Sequence, residues 1–231
     1  MPSTVAKLFS ATRLQPEGVV RWGQQIPEPD AGVYAVALVK DVSTVAAALE
    51  HCPLSAEALD ELLRVRPELR VDKVRPTRDE LAARLTRMWP SDEVIIYVGL
   101  AGTSLHDRVG NYYSTPLGAR RPHAGGWPLK TLEPLNHLYV HYARCADPDD
   151  AEKRMLEAFI DNVTPAVRAA LVDPELPLPF ANLELDRRHR KRHGITGARE
   201  PRKKRSPRKK PSRLRQLWRR PHRRGHPSAS A

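Results

Sequence analysis

Two short apolar runs, each with a tyrosine and a glycine at one end, constrain the fold of this chain most. The first, residues 32–39, begins with Gly32-Val33-Tyr34, and the second, residues 93–100, ends with Tyr97-Val98-Gly99-Leu100. Runs of this length that are rich in β-branched residues and follow turn-forming residues are typical of buried strands. We therefore expect the two runs to pair at the centre of a sheet, which would bring Tyr34 and Tyr97 close together.

Another strand and two helices are predicted beyond the second run. A third apolar run, residues 138–143, predicts the strand, and the sequence predicts helices from Ser104 to about Tyr113 and from about Asp149 to Asn162. The second helix follows Asp147-Pro148, a capping aspartate and a proline that favour a helix N-terminus. The sequence thus predicts an α/β (α+β) domain with a small central sheet flanked by helices.

A long segment separates the two apolar runs. Within residues 40–92, helical patterns cover residues 43–51, 55–65 and 77–89, and the third pattern opens with a capping box. These patterns predict a helical insert. An insert of this length is tolerated between two paired strands because the entropy cost of closing a loop grows only slowly with its length. Residues 1–29 are expected to form an N-terminal extension.

Side chains suited to phosphate chemistry follow the second run in a definite order. Arg108 stands nine residues after Gly99, and Tyr112 lies four residues further on, on the same face of the predicted helix. Glu152 and Asn182 come later in the chain. Together with the two tyrosine–glycine motifs, this order resembles that of the GIY-YIG nuclease family over residues 30–186, with the insert excluded.

The resemblance implies a GIY-YIG-like fold and a metal-dependent endonuclease. Such an enzyme hydrolyses phosphodiester bonds in DNA in one step, by attack of water. The family's roles would make Tyr34 and Tyr97 hydrogen-bond the phosphate or the water, Arg108 face the scissile phosphate, and Asn182 support the site. Glu152 would bind one divalent ion, Mg²⁺ or Mn²⁺, because hard cations prefer oxygen ligands. Tyr112 is a third phenol, and which tyrosine accepts the proton of the water stays open.

Glu157 is an alternative metal ligand, because it lies in the same predicted helix. Glu152 fits the family's spacing of a glutamate followed by apolar residues better. Two helical residues five positions apart point in different directions, so only one of these carboxylates can reach the tyrosines.

The net charge of +12 is divided unevenly along the chain. Residues 187–231 carry 19 Lys or Arg and one acid, whereas residues 1–186 carry 20 Lys or Arg and 26 acids. Apolar residues are sparse in this basic tail, so we expect it to be disordered when free. The expected partner is a nucleic acid, because basic runs bind the phosphate backbone without sequence preference. DNA is the first candidate.

The predicted phosphate contacts fall in two places. A basic loop with two glycines, suited to close approach by a phosphate, contributes His123, Arg120 and Arg121. The tail contributes Arg187, Arg188, Arg190, Lys191, Arg192, Lys203, Lys204, Arg205, Lys209 and Lys210.

The cysteines and the N-terminal composition indicate a cytoplasmic protein. Cys52 and Cys145 lie far apart without a metal-binding spacing, which suggests neither a disulfide framework nor a cysteine zinc site. No apolar block near the N-terminus is long enough for a signal sequence or a membrane span, so no membrane partner is expected.

Two alternatives to a nuclease remain open at this point. The chain could keep the GIY-YIG fold and bind nucleic acid without cutting it. It could also be a DNA- or RNA-binding protein in which only the basic tail contacts the nucleic acid. Pure binding would not require Glu152, so its presence beside the other four residues favours catalysis.

Overall fold

Six strands and six α-helices lie within residues 2–123 and 125–201, the ranges that a computed structural model of the chain describes. The strands are β1 (Gly18–Arg21), β2 (Gly32–Ala37), β3 (Arg70–Val71), β4 (Ile95–Ala101), β5 (Tyr139–Arg144) and β6 (Ile195–Thr196). The α-helices are α1 (Val5–Ser10), α2 (Ala56–Val65), α3 (Arg78–Thr86), α4 (Leu105–Ser114), α5 (Pro148–Asn162) and α6 (Pro165–Ala170). Two short 3₁₀ helices, Trp127–Thr131 and Leu135–His137, lie between α4 and β5.

Four of the strands form an antiparallel sheet in the order β1-β5-β2-β4. Tyr34 lies opposite Gly99 and Val36 lies opposite Tyr97. Because strand side chains alternate between faces, this register places both tyrosines on one face of the sheet. The predicted pairing of the two apolar runs and the mixed α+β class are confirmed. Of the two runs, however, β2 is internal and β4 forms an edge of the sheet.

Helices cover both faces of the sheet. On the tyrosine face, α2, α3 and α4 bury their apolar side chains, among them Leu62, Leu81 and Val109. On the opposite face, α1 and α5 bury theirs, among them Phe9 and Phe159. The predicted strand at 138–143 and the predicted helices at 104–113 and 149–162 are confirmed within a residue or two.

The predicted insert contains two of its three expected helices. Ser55 caps α2, and Thr77 and Glu80 form the expected capping box of α3. The helix expected over residues 43–51 is wrong, because this segment consists of turns and bends. The Asp41 side chain accepts hydrogen bonds from Ser43 instead, and such local side-chain bonds compete with a helix.

The N-terminal residues belong to the folded unit, unlike the extension predicted for residues 1–29. Val5, Leu8 and Phe9 of α1 are buried in the core on the α5 face of the sheet. The edge strand β1 pairs with β5, Val20 lying opposite Val140. An amphipathic helix of one and a half turns and a four-residue strand give too little periodicity to be recognised from sequence.

Order also continues beyond the predicted start of the tail at residue 187. Strand β6 pairs with β3 of the insert in a second, two-stranded sheet. Lys191 is buried, and Arg192 forms an ion pair with Asp173. The boundary at 187 is therefore wrong, because hydrogen bonds and ion pairs to earlier parts of the chain hold residues 187–201 in place. The rest of the predicted disordered tail, residues 202–231, lies outside the described residues.

Among the described residues, no helix combines the length and the apolar character needed to cross a membrane.

Candidate active site

Three tyrosines from three elements form one buried aromatic cluster. The ring centroids of Tyr34 and Tyr97 are 5.9 Å apart, and those of Tyr97 and Tyr112 are 5.4 Å apart in an edge-to-face arrangement. Each of the three side chains is buried, the most exposed being Tyr97 at 6%. The sequence prediction that the two motif strands bring Tyr34 and Tyr97 together, with Tyr112 nearby, is confirmed.

Two glycines leave the space that these rings occupy. A Cβ atom at Gly99 would lie 2.6 Å from Cζ of Tyr34 and 2.7 Å from Cε1 of Tyr97. Gly126 has a φ of +58°, and its carbonyl accepts a hydrogen bond of 2.5 Å from the Tyr112 hydroxyl. The glycine of the second motif is therefore a steric requirement of the tyrosine cluster itself.

His123 joins this cluster instead of lying on the surface of its loop. Its ring stacks on Tyr112 with centroids 4.2 Å apart, and its Nε2 lies 3.5 Å from the Tyr34 hydroxyl. Its Nδ1 lies 3.1 Å from the Gly125 carbonyl oxygen, which can only accept, so we assign the ring proton to Nδ1. Nε2 is then free to accept the hydrogen bond from Tyr34.

The imidazole of His123 is neutral at physiological pH. Burial, and then the positive charge of Arg108, lower the pKa of His123 to about 3. The prediction that His123 contacts phosphate from its basic loop therefore needs correction. A buried neutral ring can orient the Tyr34 hydroxyl but offers no positive charge to a phosphate.

Arg108 points from α4 toward the same cluster. Its Nε donates to the carbonyl oxygen of Leu100 at 3.1 Å, just after the second motif, which fixes the direction of the guanidinium. The charge of Arg108 acts on the pKa of Tyr34, Tyr97 and Tyr112, in each case lowering it. It forms no ion pair with any carboxylate in the described ranges, so its charge is available for an anion.

Glu152, in the first turns of α5, is a carboxylate whose charge acts on the cluster. Burial, only partly offset by Arg108, raises the pKa of Glu152 to about 7. Its charge in turn acts on the pKa of Tyr34 and of Tyr97. Glu157 is exposed and lies 3.7 Å from the Lys153 ammonium. Of the two candidate ligands, only Glu152 is placed to act with the tyrosines.

Burial governs the acidity of the phenols. It raises the pKa of Tyr34, Tyr97 and Tyr112 above the ordinary range, and the neighbouring phenols add to the effect. None of the three is therefore a phenolate at neutral pH in the free protein. Each can donate a hydrogen bond. A tyrosine can accept the proton of a water molecule only if it passes its own hydroxyl proton to another group.

Asn182 supports the second motif from outside the sheet. Its side-chain oxygen accepts from the Val98 amide and its side-chain nitrogen donates to the Val98 carbonyl, both at 2.8 Å. The backbone amide of Ala181 donates to the carbonyl of Ile96 at 2.9 Å. Residues 181 and 182 thus satisfy the open edge of β4, which is the supporting role predicted for the asparagine.

The residues present fit a divalent ion held by one carboxylate. Glu152 is half-buried, yet it makes no hydrogen bond or ion pair with any described residue, so its oxygens are free to bind a cation. Hard cations accept a single protein carboxylate when water and phosphate oxygens complete the shell. In the described ranges no three or more His, Cys, Asp and Glu side chains come together as a larger metal site.

The basic residues predicted to contact phosphate have different surroundings. Arg121, Arg187 and Arg188 are exposed. Arg190 and Arg192 form ion pairs with Glu184 and Asp173. Arg120 is half-buried and donates to the carbonyl of Glu200 at 3.3 Å. The others, Lys203, Lys204, Arg205, Lys209 and Lys210, lie outside the described residues.

Lys191 cannot serve as a surface phosphate contact, which corrects its prediction. Its side chain is buried, and its ammonium donates to the carbonyls of Leu178, Pro179 and Phe180 at 3.2, 2.8 and 3.3 Å. Burial lowers the pKa of Lys191 to about 7. Its place in a basic run concealed this role, because nothing in the local sequence shows which of the five Lys and Arg side chains of residues 187–192 becomes buried.

Two further residues near the site went unrecognised in the sequence. Thr115 accepts a hydrogen bond of 2.9 Å from the His123 amide, and Lys130 donates to the carbonyls of Tyr113 and Thr115. The Lys130 ammonium lies 5.8 Å from the centre of the Tyr112 ring. The paired glycines 125 and 126 were the available signal, since they mark a loop that approaches other groups closely.

No protein-family model, curated protein or solved structure matches the chain.

Proposed function

We propose that this protein is a metal-dependent endonuclease of the GIY-YIG type that hydrolyses phosphodiester bonds in DNA. The observation that carries the proposal is the meeting of Tyr34, Tyr97, Arg108 and Glu152, which act on one another electrostatically although they come from four separate elements. A fold can be stable without a cation and a carboxylate that, among the described residues, have no ion-pair partner and act on buried phenols. Perturbed groups of this kind are concentrated at catalytic sites.

Each side chain meets one requirement of phosphodiester hydrolysis. Arg108 offers a guanidinium that pairs with no carboxylate in the described part of the chain, and it can neutralise the charge that builds on the phosphoryl oxygens. Tyr34 presents an oxygen to the attacking water, since its own proton is directed toward Nε2 of His123. Tyr97, whose ring packs near that of Tyr34, can donate to the phosphate. Asn182 keeps β4 in register, so Tyr97 holds its position.

Glu152 would hold the divalent ion, which when bound supplies positive charge at the phosphate and lowers the pKa of coordinated water. The carboxylate is suited to this because it is half-buried and unpartnered among the described residues. A bound cation would also compensate the unfavourable burial of its negative charge.

A nucleic-acid-binding protein without catalysis is the second candidate. The observation that favours it is the composition of residues 202–231, which contain 13 Lys or Arg and no acid. Such a segment binds polyanions by releasing counterions, whatever the rest of the chain does. It gives no reason, however, for the arrangement around Glu152.

Supercoiled plasmid DNA distinguishes the two candidates. The full chain is incubated with the plasmid and Mg²⁺ or Mn²⁺, and with EDTA as a control. We expect nicked and linear products with either ion, none with EDTA, and a loss of at least a hundredfold in Glu152→Gln and Arg108→Gln. Glu157→Gln is the matched control and should cut like the wild type. If the wild type binds the plasmid but does not cut it with either ion, the nuclease proposal is refuted and the DNA-binding protein is left.

A further inference from the structure

A short turn in the insert contains two left-handed residues that are not glycine. The turn follows β3 at residues 71–74, where the amides of Val71 and Val74 each donate to the other residue's carbonyl at 2.9 Å. The central residues, Asp72 and Lys73, have φ of +46° and +72°. Turns of this kind prefer asparagine or aspartate followed by glycine. Aspartate therefore suits its position, whereas lysine strains the backbone where glycine would not.

Contacts with distant parts of the chain hold this turn in place. The Asp72 amide donates to the carbonyl of Gly194 at 3.0 Å. Arg84 of α3 donates to Oδ1 of Asp72 at 3.1 Å and to the carbonyl of His193 at 3.0 Å. The surrounding structure thus maintains the strained conformation, and strain that is maintained in this way is concentrated at functional sites.

The turn displays a cation and an apolar side chain to the solvent. Lys73 is exposed, and its ammonium forms no hydrogen bond or ion pair within residues 2–123 and 125–201. Val74 is 68% exposed, more than any other large apolar side chain in the described part of the chain. A single exposed valine is ordinary. Here, however, it lies beside a cation on a strained turn that is held in place, so a partner would meet both groups together.

A groove of about 310 Å³ lies between the turn and α3. Val71, Val74 and Pro76 line it from the side of the turn, and Ala83 and Arg87 line it from α3. Arg87 is exposed, and its guanidinium forms no ion pair with the described residues. The groove therefore combines an apolar lining with cations at the turn and on the helix.

The two acids at the groove have partners of their own. Asp72 forms an ion pair with Arg84. Glu80 accepts hydrogen bonds from the amide and the hydroxyl of Thr77 at 2.8 and 3.0 Å, at the N-terminus of α3. Arg87 lies seven residues further along this helix, or about 10 Å. The charges that this surface offers to a partner are therefore positive.

We propose that residues 71–76 and the facing side of α3 form a docking surface for the sugar–phosphate backbone of duplex DNA. Lys73 and Arg87 bind phosphates, and Val74 packs against a deoxyribose. A DNA strand alternates charged phosphates with less polar sugars, and this surface likewise places apolar groups between cations. Contacts of this kind position a duplex without reading its sequence.

The choice of DNA as the partner rests on the proposed function, whereas the strained turn and its exposed cation do not depend on it. The 13 Lys or Arg of residues 202–231, which contain no acid, also favour a polyanion over a protein partner.

The test uses the strain at Lys73. Lys73→Gly removes the cation and also relieves the left-handed backbone, so it should raise the melting temperature by about 2–4 °C. The affinity of the full chain for a short DNA duplex is measured in EDTA over a range of salt concentrations. We expect Lys73→Gly to bind about tenfold more weakly at about 0.1 M salt, and the slope of log affinity against log salt to fall by about one. A purely structural lysine would show the gain in stability without the loss of affinity.

Arg13→Gly is the matched control. Arg13 is also basic, exposed and left-handed, with a φ of +60°, but it follows α1, outside the insert. This variant should gain stability to a similar extent and keep the affinity and the salt slope of the wild type. An equal loss of affinity in Arg13→Gly would overturn the docking surface, because any surface cation would then contribute as much.

Val74→Thr tests the apolar part of the surface. Threonine has nearly the shape of valine, and at an exposed position it should leave the fold intact. We expect about a threefold loss of DNA affinity with an unchanged salt slope, because the lost contact carries no charge. Wild-type affinity in Lys73→Gly and in Val74→Thr would overturn the proposal and leave this surface to an acidic protein segment.

The outcome can be separated from that of the proposed function, because binding is measured without cutting. Weaker binding by Lys73→Gly, in a protein whose wild type cuts no plasmid, would support the docking surface while the nuclease fails. Plasmid cutting by a protein whose Lys73→Gly variant binds DNA like the wild type would overturn the docking surface and leave the nuclease in place.

Discussion

The side-chain amide of Asn182 forms two hydrogen bonds of 2.8 Å with the backbone of Val98, one to its amide and one to its carbonyl. Val98 lies between Tyr97 and Gly99 in the edge strand β4. An edge strand has unpaired backbone groups that would otherwise need water or another strand. Asn182 thus replaces one residue of a neighbouring strand and holds the second motif in place.

Replacing Asn182 by Asp should weaken both the fold and the site. The carboxylate keeps an acceptor for the Val98 amide but loses the donor to its carbonyl, and it brings a charge into a buried position. We expect the free energy of unfolding to fall by about 2–4 kcal/mol, measured by urea denaturation, and cutting to fall with it. Asn111→Asp, on the exposed side of α4, should change stability by less than about 0.5 kcal/mol. Equal effects of the two substitutions would contradict the role of the amide.

The pairing of the motif strands was predictable because its signals are local. Each run of β-branched residues has a tyrosine and a glycine at one end, and strand periodicity then determines which side chains share a face. The helices at 104–113 and 149–162 were likewise marked by capping residues, Ser104 and Asp147, that bind the backbone within three positions. From the two strands alone the meeting of Tyr34 and Tyr97 follows.

Contacts over long sequence separations were not predictable in the same way. Lys191 was assigned to the basic tail, but three carbonyls some twelve residues earlier surround its ammonium. His123 was assigned to a phosphate-binding loop, whereas Thr115 and Tyr112 hold it in the cluster. In both cases tertiary burial decides the role of a polar side chain, and a run of basic residues carries no sign of it.

Gly99→Ala should displace the tyrosines. The added Cβ would lie 2.6 Å from the Tyr34 ring and 2.7 Å from that of Tyr97, so both rings must move. We expect a loss of about 1–3 kcal/mol in stability and of about a hundredfold in cutting rate. Thermal unfolding and plasmid cleavage measure the two effects.

Gly110→Ala is the control for that substitution. Gly110 lies inside α4 and a Cβ there meets no atom within 4 Å. Since alanine favours a helix over glycine by about 1 kcal/mol, this variant should be more stable than the wild type and cut normally. Loss of cutting in both variants, or in neither, would show that the contact between Gly99 and the rings does not matter.

Lys191→Met should destabilise the protein without changing the electrostatics of DNA binding. Methionine fills a similar volume but leaves the carbonyls of residues 178–180 without their donor, which we expect to cost about 2–4 kcal/mol in urea denaturation. Because Lys191 is buried, the salt dependence of DNA affinity should stay that of the wild type. Arg188→Gln, at an exposed position, should show the opposite pattern, with normal stability and a shallower salt slope. A shallower salt dependence of DNA affinity in Lys191→Met would show that Lys191 contacts phosphate.

Glu152→Gln should stabilise the metal-free protein at high pH while abolishing cutting. Burial raises the pKa of Glu152 to about 7 in the folded state, above that of an unfolded glutamate. Ionising this carboxylate therefore costs less free energy in the unfolded chain than in the folded protein. The contribution of the protonated group to the free energy of unfolding is fully present below about pH 4 and is lost as the pH rises through 7. In EDTA at pH 8 the variant should be more stable than the wild type by about 2–3 kcal/mol, with the difference gone at pH 4. The substitution Glu157→Gln, at an exposed position, should show no such dependence on pH.

Mn²⁺ should remove the stability difference between the wild type and Glu152→Gln, since an ion that binds only the folded wild type adds to its stability. The apparent affinity of the wild type for the ion should fall about tenfold for each pH unit below 7. A Glu152→Gln variant that is less stable than the wild type at pH 8 would mean that this carboxylate has a structural partner and is not held ready for an ion.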